Sequence, residues 1–203
     1  MTTPDQAEHG AVPPGYLRET VTSLEMFACP PDAMMAPTMP RGTRVDLVVE
    51  PSVAFYRFLY DTVGEAWLWG ARRRWSDASI AETVQHPRNE LWLLVADGEP
   101  AGFAELDRRV AGEVELSYFG LMPSFIGHGL GPWLLRFALH KAWSAGPRRV
   151  WVHTCDLDHP AALALYRRQG FVPFRTHHVI VIDPRATGHI PRQVQPHRPI
   201  VEP

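Results

Sequence analysis

Lysine is nearly absent from this sequence: of 20 Lys and Arg residues, only Lys141 is a lysine. The cationic groups are therefore almost all guanidiniums, which stay charged at any working pH. They are balanced by 22 Asp and Glu, leaving a net charge of −2. Such a chain lacks the one-signed field that nucleic acid or an anionic membrane selects, so neither is expected as a partner. Cysteine is scarce too. Cys29 and Cys155 lie far apart and in no CxxC pattern, which speaks against a disulfide framework and a zinc site. The adjacent pair His177-His178 does not have metal-ligand spacing, and no metal is expected. No apolar run approaches the ~20 residues that span a bilayer. The opening MTTPDQAEHGAVPPG has neither the basic nor the apolar block of a signal peptide, so a cytoplasmic location is expected.

The 20 prolines and 15 glycines punctuate the chain and mark its elements. Residues 1–15 hold few apolar groups and read as disordered. Residues 16–183 suit a single domain. The proline-bearing stretch 184–203 reads as an arm or as disorder. A strand is expected over 20–26, followed by a proline-rich loop over 29–42 and a β-branched strand over 44–50. Pro51-Ser52 starts a helix that Gly64 stops, and Ser76 or Asp77 caps a second, shorter one. Between them lie Trp67, Trp69 and the run Arg72-Arg73-Arg74, which reads as a solvated face.

From residue 90 the pattern turns antiparallel. Strands over 91–96 and 101–106 flank Asp97-Gly98, a strong hairpin signal. A second turn near 110–112 leads into a strand over 114–121. A glycine-rich turn follows and opens a helix over 131–144, with Pro132 in its first turn and Gly146-Pro147 beyond its end. A strand over 148–155, a helix over 161–169 and a final strand or broken pair over 171–183 complete the domain. The unit strand 114–121, helix, strand 148–155 is a βαβ crossover with parallel strands. The fold class is therefore α+β, of α/β three-layer type. Its mixed, largely antiparallel central sheet has a parallel step at the glycine turn and helices on both faces.

Gly127, Gly129 and Gly131 alternate in that turn. Positions without side chains admit a ligand close to the backbone, and a helix starting there aims N–H groups and its positive dipole end at one spot. Such a turn suits a pyrophosphate. It is not a Walker A loop, since Pro132 and Trp133 stand where Lys and Ser or Thr are needed. A dinucleotide-binding turn would follow its strand directly, although Asp156 could mimic the acid that holds a ribose. The run Ile126-Gly127-His128-Gly129-Leu130-Gly131 resembles the Q/R-x-x-G-x-G/A signature of the GNAT superfamily of N-acetyltransferases, with Ile126 at the Arg or Gln position. Asp158, Ala161, Leu165, Tyr166, Gly170 and Phe171 are similar to a second motif of that family, with Asp158 replacing Asn. The resemblance covers roughly residues 45–174.

The resemblance implies acetyl-CoA as donor and a primary amine, on a small molecule or peptide, as acceptor. It implies cofactor contacts from Phe119, Leu121 and Met122 on the fourth strand of the family fold, from the turn residues Gly127, His128, Gly129, Leu130 and Gly131, and from Asp158. Gly120 and Pro123 suggest a bulge there, one that would free backbone groups for the cofactor; alternatively, Gly120 packs beneath a helix. Tyr166 takes the position of the general acid. Glu115 is the candidate base, with Glu105 competing. Paired directly, the two carboxylates share a face, while a one-residue slip would oppose them. Tyr56, Trp67, Trp69 and His153 are expected at the acceptor site, and Cys155 as a buried, inert thiol. The resemblance leaves a homodimer open. Competing readings are a non-catalytic acyl-CoA sensor on the same fold and a dinucleotide-dependent oxidoreductase.

Overall fold

The computed structural model describes residues 11–202; residues 1–10, the larger part of the stretch read as disordered, lie outside it. Seven strands form one sheet in the order β2-β3-β4-β5-β6-β1-β7. They are β1 (Tyr16–Met26), β2 (Thr43–Val48), β3 (Asn89–Ala96), β4 (Glu99–Asp107), β5 (Glu113–Leu121), β6 (Arg149–Cys155) and β7 (Val172–Ile182). Among the described residues only the β5–β6 pair is parallel. Helices α1 (Val53–Gly64) and α2 (Asp77–Val84) cover one face, and α3 (Leu130–Trp143) and α4 (Ala162–Arg168) the other. The expected α+β layering is present.

Local chemistry explains the boundaries. The Ser52 and Ser76 hydroxyls accept from the backbone N–H groups of Phe55 and Ser79, both at 3.2 Å, and so cap α1 and α2. Asp97 and Gly98 both adopt positive φ, as a two-residue hairpin turn demands. On the α3 side, Leu24, Leu106, Leu116, Leu135, Val150 and Val152 form the main core, with Tyr166 at its edge. On the other side, Tyr56, Leu59, Tyr60 and Val63 of α1 pack on Leu91, Leu93 and Phe103.

Two features of β5 position the site. Glu105 pairs with Tyr118 and Leu106 with Leu116, so Ser117 is an extra residue with no partner on β4. This bulge sits three residues before the expected Gly120. Leu116 joins the core on the α3 side, whereas Tyr118 packs against Tyr60 and Trp69 on the α1 side. Gly120 instead serves packing, because a Cβ there would run into Val63 Cγ1 of α1. The second feature is a short parallel ladder. β5 pairs with β6 only over Glu113–Glu115, opposite residues 149–151, and beyond that point the strands part.

Three other expectations need correction. β1 begins at Tyr16, four residues earlier than read, and pairs with both β6 and β7. Within residues 11–15, the Gly15 N–H donates to Val201 O. The C-terminal stretch is not a free arm within the described residues. Buried Arg185 grips Asp183 through two hydrogen bonds and donates Nη1 to the carbonyls of Val194, Gln195 and Arg198. Ile190 and Val194 pack with Leu17, Leu68 and Leu157. Too few regular apolar positions mark this stretch as an element, yet one cation collects its carbonyls and two side chains bury it.

Candidate active site

Where β5 and β6 part, a cavity of about 470 Å³ passes between the two faces of the sheet. Its walls are the stretch of β5 over 116–121, the glycine turn, Tyr166 of α4, and residues of β1, β6 and the loop after α1. The splay has a simple cause. Once the ladder ends at Glu115, nothing holds the two strands at hydrogen-bonding distance, and the bulge at Ser117 turns β5 away.

The glycine turn forms one end. Gly127 and Gly129 have φ of 88° and 75°, a region that L side chains rarely adopt, and a Cβ at either would point into open space. Gly129 is the N-cap of α3 and no side chain caps that helix. The first N–H groups of a 14-residue helix thus face the cavity mouth without a hydroxyl or carboxylate to accept from them. Gly131, Phe119 and Leu121 also line the cavity. The side chains of three other expected contacts do not. The Met122 side chain is buried in the α1 core and its N–H donates to Ala101 O at 2.9 Å, the Leu130 side chain packs beneath β3 and β4, and His128 faces solvent.

Tyr166 is 6% exposed, with Phe119 and Phe171 against its ring. Burial, and then the Asp158 carboxylate, push its hydroxyl well above the ordinary phenol range. The group therefore stays protonated and borders the cavity with a proton to give. Asp158 is held by its own chain: Oδ2 accepts from Thr154 Oγ1 (2.8 Å) and Cys155 N (3.0 Å), and Oδ1 accepts from Trp69 Nε1 (3.0 Å).

The two candidate bases fare differently. The pairing is Asp107 with Glu115, two residues from direct 105–115 pairing, so Glu105 and Glu115 do share a face. Glu105, however, is fully buried against Arg72, which donates Nη1 to Oε2 at 2.6 Å and Nη2 to Oε1 at 2.8 Å. Tyr56 Oη and Asn89 Nδ2 donate to it as well. Arg72 is thus no solvated residue. Its plane lies over the rings of Tyr56, Trp75 and Tyr118. Burial alone would lower its pKa, but Glu105 reverses this and holds it above the ordinary value. Tyr56, expected at the acceptor site, belongs to this buried network and does not reach the cavity.

Glu115 does not border the cavity, but His153 does, and its Nδ1 lies 3.4 Å from Glu115 Oε1. That contact raises the His153 pKa above the ordinary histidine value, against a smaller effect of burial. Trp67 and Trp69 line the same region. Trp67 meets the His159 ring edge-on, and Trp69 packs on Tyr60 and Tyr118. Cys155 also borders the cavity, but burial and then Asp158 push its thiol pKa far up, so it carries little thiolate. Asp156 accepts from Thr20 N and pairs with Arg198, away from the cavity, which leaves the dinucleotide reading without its ribose acid. Glu19 of β1, outside the expected strand, is a cavity residue that the sequence did not reveal.

A mixed sheet splayed beside a helix that starts on a glycine turn defines an acyltransferase fold. The match to known families agrees: residues 49–171 fit the acetyltransferase (GNAT) family, and the chain belongs to that family. Among relatives, an uncharacterized N-acetyltransferase of Mycobacterium tuberculosis is 32% identical over 96 residues, covering 47% of this chain and 61% of that protein. Mycothiol acetyltransferase of Acidothermus cellulolyticus is 40% identical over 83 residues, covering 40% of this chain and 24% of the other. The chain thus matches less than two thirds of the length of either relative. A solved GCN5-related N-acetyltransferase from Sphaerobacter thermophilus shares the fold with a TM-score of 0.59 and 21% identity, over 82% of this chain and 52% of that one. Among the described residues, no helix is long and apolar enough to cross a membrane, and no three His, Cys, Asp or Glu side chains gather as metal ligands.

Proposed function

We propose that this protein transfers the acetyl group of acetyl-CoA directly to a primary amine. One observation carries the reading: the uncapped start of α3, with Gly127 and Gly129 at positive φ, opens onto a cavity that crosses the sheet where β5 and β6 part. The backbone N–H groups at the α3 terminus take the pyrophosphate. The edge of β5 freed beyond Glu115 takes the pantetheine arm in place of a strand, with Phe119 and Leu121 beside it. The thioester then lies in the gap, between Tyr166 on one side of the sheet and His153 on the other.

The amine nitrogen attacks the carbonyl carbon. An N–C bond forms, the C–S bond breaks, and the sulfur leaves as thiolate. Tyr166 gives that thiolate its proton; a phenol that stays protonated at neutral pH is suited to this. The proton lost by the amine goes to His153, which Glu115 orients and makes more basic. Glu115 thus acts through His153 rather than by touching the substrate.

Calorimetric titration with acetyl-CoA, with NADH as control, tests the donor; release of free CoA thiol in the presence of an amine panel tests the transfer. Micromolar acetyl-CoA binding with amine-dependent thiol release is expected. Binding without release for any amine would turn the reading toward an acyl-CoA sensor, and NADH binding alone would overturn it.

A further inference from the structure

The acceptor end of the cavity holds one carboxylate that neither the fold nor the proposed chemistry uses. Glu19 lies on β1 opposite Val179, on the same face as Val21 and Ser23, which pair with Cys155 and His153 of β6. Glu19, Val21, His153 and Cys155 all border the cavity, so they form its floor on the α1 side. Trp67, Leu68 and Trp69 border the same space.

The neighbouring acids are committed. Glu115 contacts His153, Asp158 accepts three hydrogen bonds, and Asp156 pairs with Arg198. Among the described residues Glu19 has no ion pair, and the group that most favours its charge is the Cys155 thiol, a weak donor. Burial raises its pKa, with Asp158 and Asp156 adding to this, while Cys155 and His153 act in the opposite direction. A carboxylate in a largely apolar cavity, offset only by a thiol and by a His153 that Glu115 already engages, is short of a cation. Arg74 also borders the space, but its Nη1 is engaged by Gly70 O at 2.7 Å.

We propose that Glu19 receives the amino group of the acceptor, and that the acceptor is a primary amine on a flat, apolar body seated against Trp67 and Trp69. Glu19 is then a residue that selects and positions the substrate, delivering its nitrogen to the gap that His153 also borders. The inference rests on the donor reading above, because the amine must arrive from the side of the sheet opposite Tyr166.

The test uses the full chain and two probes of equal shape, 2-phenylethylamine and 2-phenylethanol, titrated by calorimetry. The wild type should bind the amine at least ~10-fold more tightly than the alcohol, as expected of a charge-assisted contact. In Glu19→Gln the two affinities should come within about twofold, with acetyl-CoA affinity unchanged as the check on folding. A wild type that binds both probes equally, or neither, overturns the proposal without any variant. An amine preference that survives in Glu19→Gln overturns it as well. The two readings fail separately: absence of acetyl-CoA binding alongside a Glu19-dependent amine preference would sink the donor assignment and support this one.

Discussion

Replacing Arg72 by methionine should be among the most damaging single changes to this fold. Met keeps much of the stem, loses the guanidinium that lies over the three aromatic rings, and leaves the fully buried Glu105 carboxylate facing only Tyr56 Oη and Asn89 Nδ2. Removing one partner of a buried pair typically costs ~3–5 kcal/mol, because the remaining charge has neither water nor a counter-ion. A domain of this size loses ~2–4 °C of Tm per kcal/mol, so Arg72→Met should lower Tm by ~6–20 °C. Urea unfolding followed by tryptophan fluorescence would report it. The decisive comparison is Arg72→Met/Glu105→Gln. A glutamine keeps one oxygen to accept from Asn89 Nδ2, its NH2 can donate to the Tyr56 hydroxyl, and it carries no charge, so the double variant should be more stable than Arg72→Met alone. If adding Glu105→Gln destabilises Arg72→Met further, or if Arg72→Met costs under ~1 kcal/mol, the pair is not the buried anchor described here.

Tyr166→Phe should slow turnover ~10-fold or more with little change in acetyl-CoA affinity; unchanged turnover in steady-state assays would remove the acid role. The rate should rise with pH as His153 loses its proton. Since Glu115 favours the imidazolium and holds that pKa up, Glu115→Gln should move the acidic limb of the pH–rate profile to lower pH. A limb that stays in place, or activity lost at every pH, would contradict the relay. Gly120→Ala should destabilise by ~1–3 kcal/mol through overpacking against Val63, and a Tm equal to wild type would show that α1 yields there. Gly129→Ala meets no atom within 4 Å, so its cost of ~1–2 kcal/mol should come from the left-handed backbone alone, and a loss larger than for Gly120→Ala would be unexpected.

The sheet was legible where the signal is local. Asp97-Gly98 and the alternating residues beside it specify their hairpin, and Ser52 and Ser76 their caps, because each needs only neighbours in sequence. The glycine turn and Tyr166 were legible through short motifs. What failed depends on partners far along the chain. Arg72 sits in a run of three arginines whose composition says solvent, and only Glu105, 33 residues away, makes it a core residue. The extra residue at Ser117 follows from the register of two strands together and cannot be read from either. The start of β1 was hidden because Arg18, Glu19 and Thr20 interrupt the apolar alternation, and with it went Glu19.

The C-terminal stretch separates two tasks along the chain. Gln195 Nε2 donates to Ala66 O at 3.0 Å and Leu157 O at 2.8 Å, tying together the loops that carry Trp67, Leu68 and Asp158. Every strand is complete at Ile182, and the glycine turn and Tyr166 come earlier still. The half of the cavity that holds the glycine turn and Tyr166 is therefore translated before the clasp that fixes the shape of the opposite wall. Changes within 184–198 could reshape that wall while leaving the turn and Tyr166 untouched, so under the proposed function one donor site could be refitted to new acceptors by editing a stretch with no regular secondary structure.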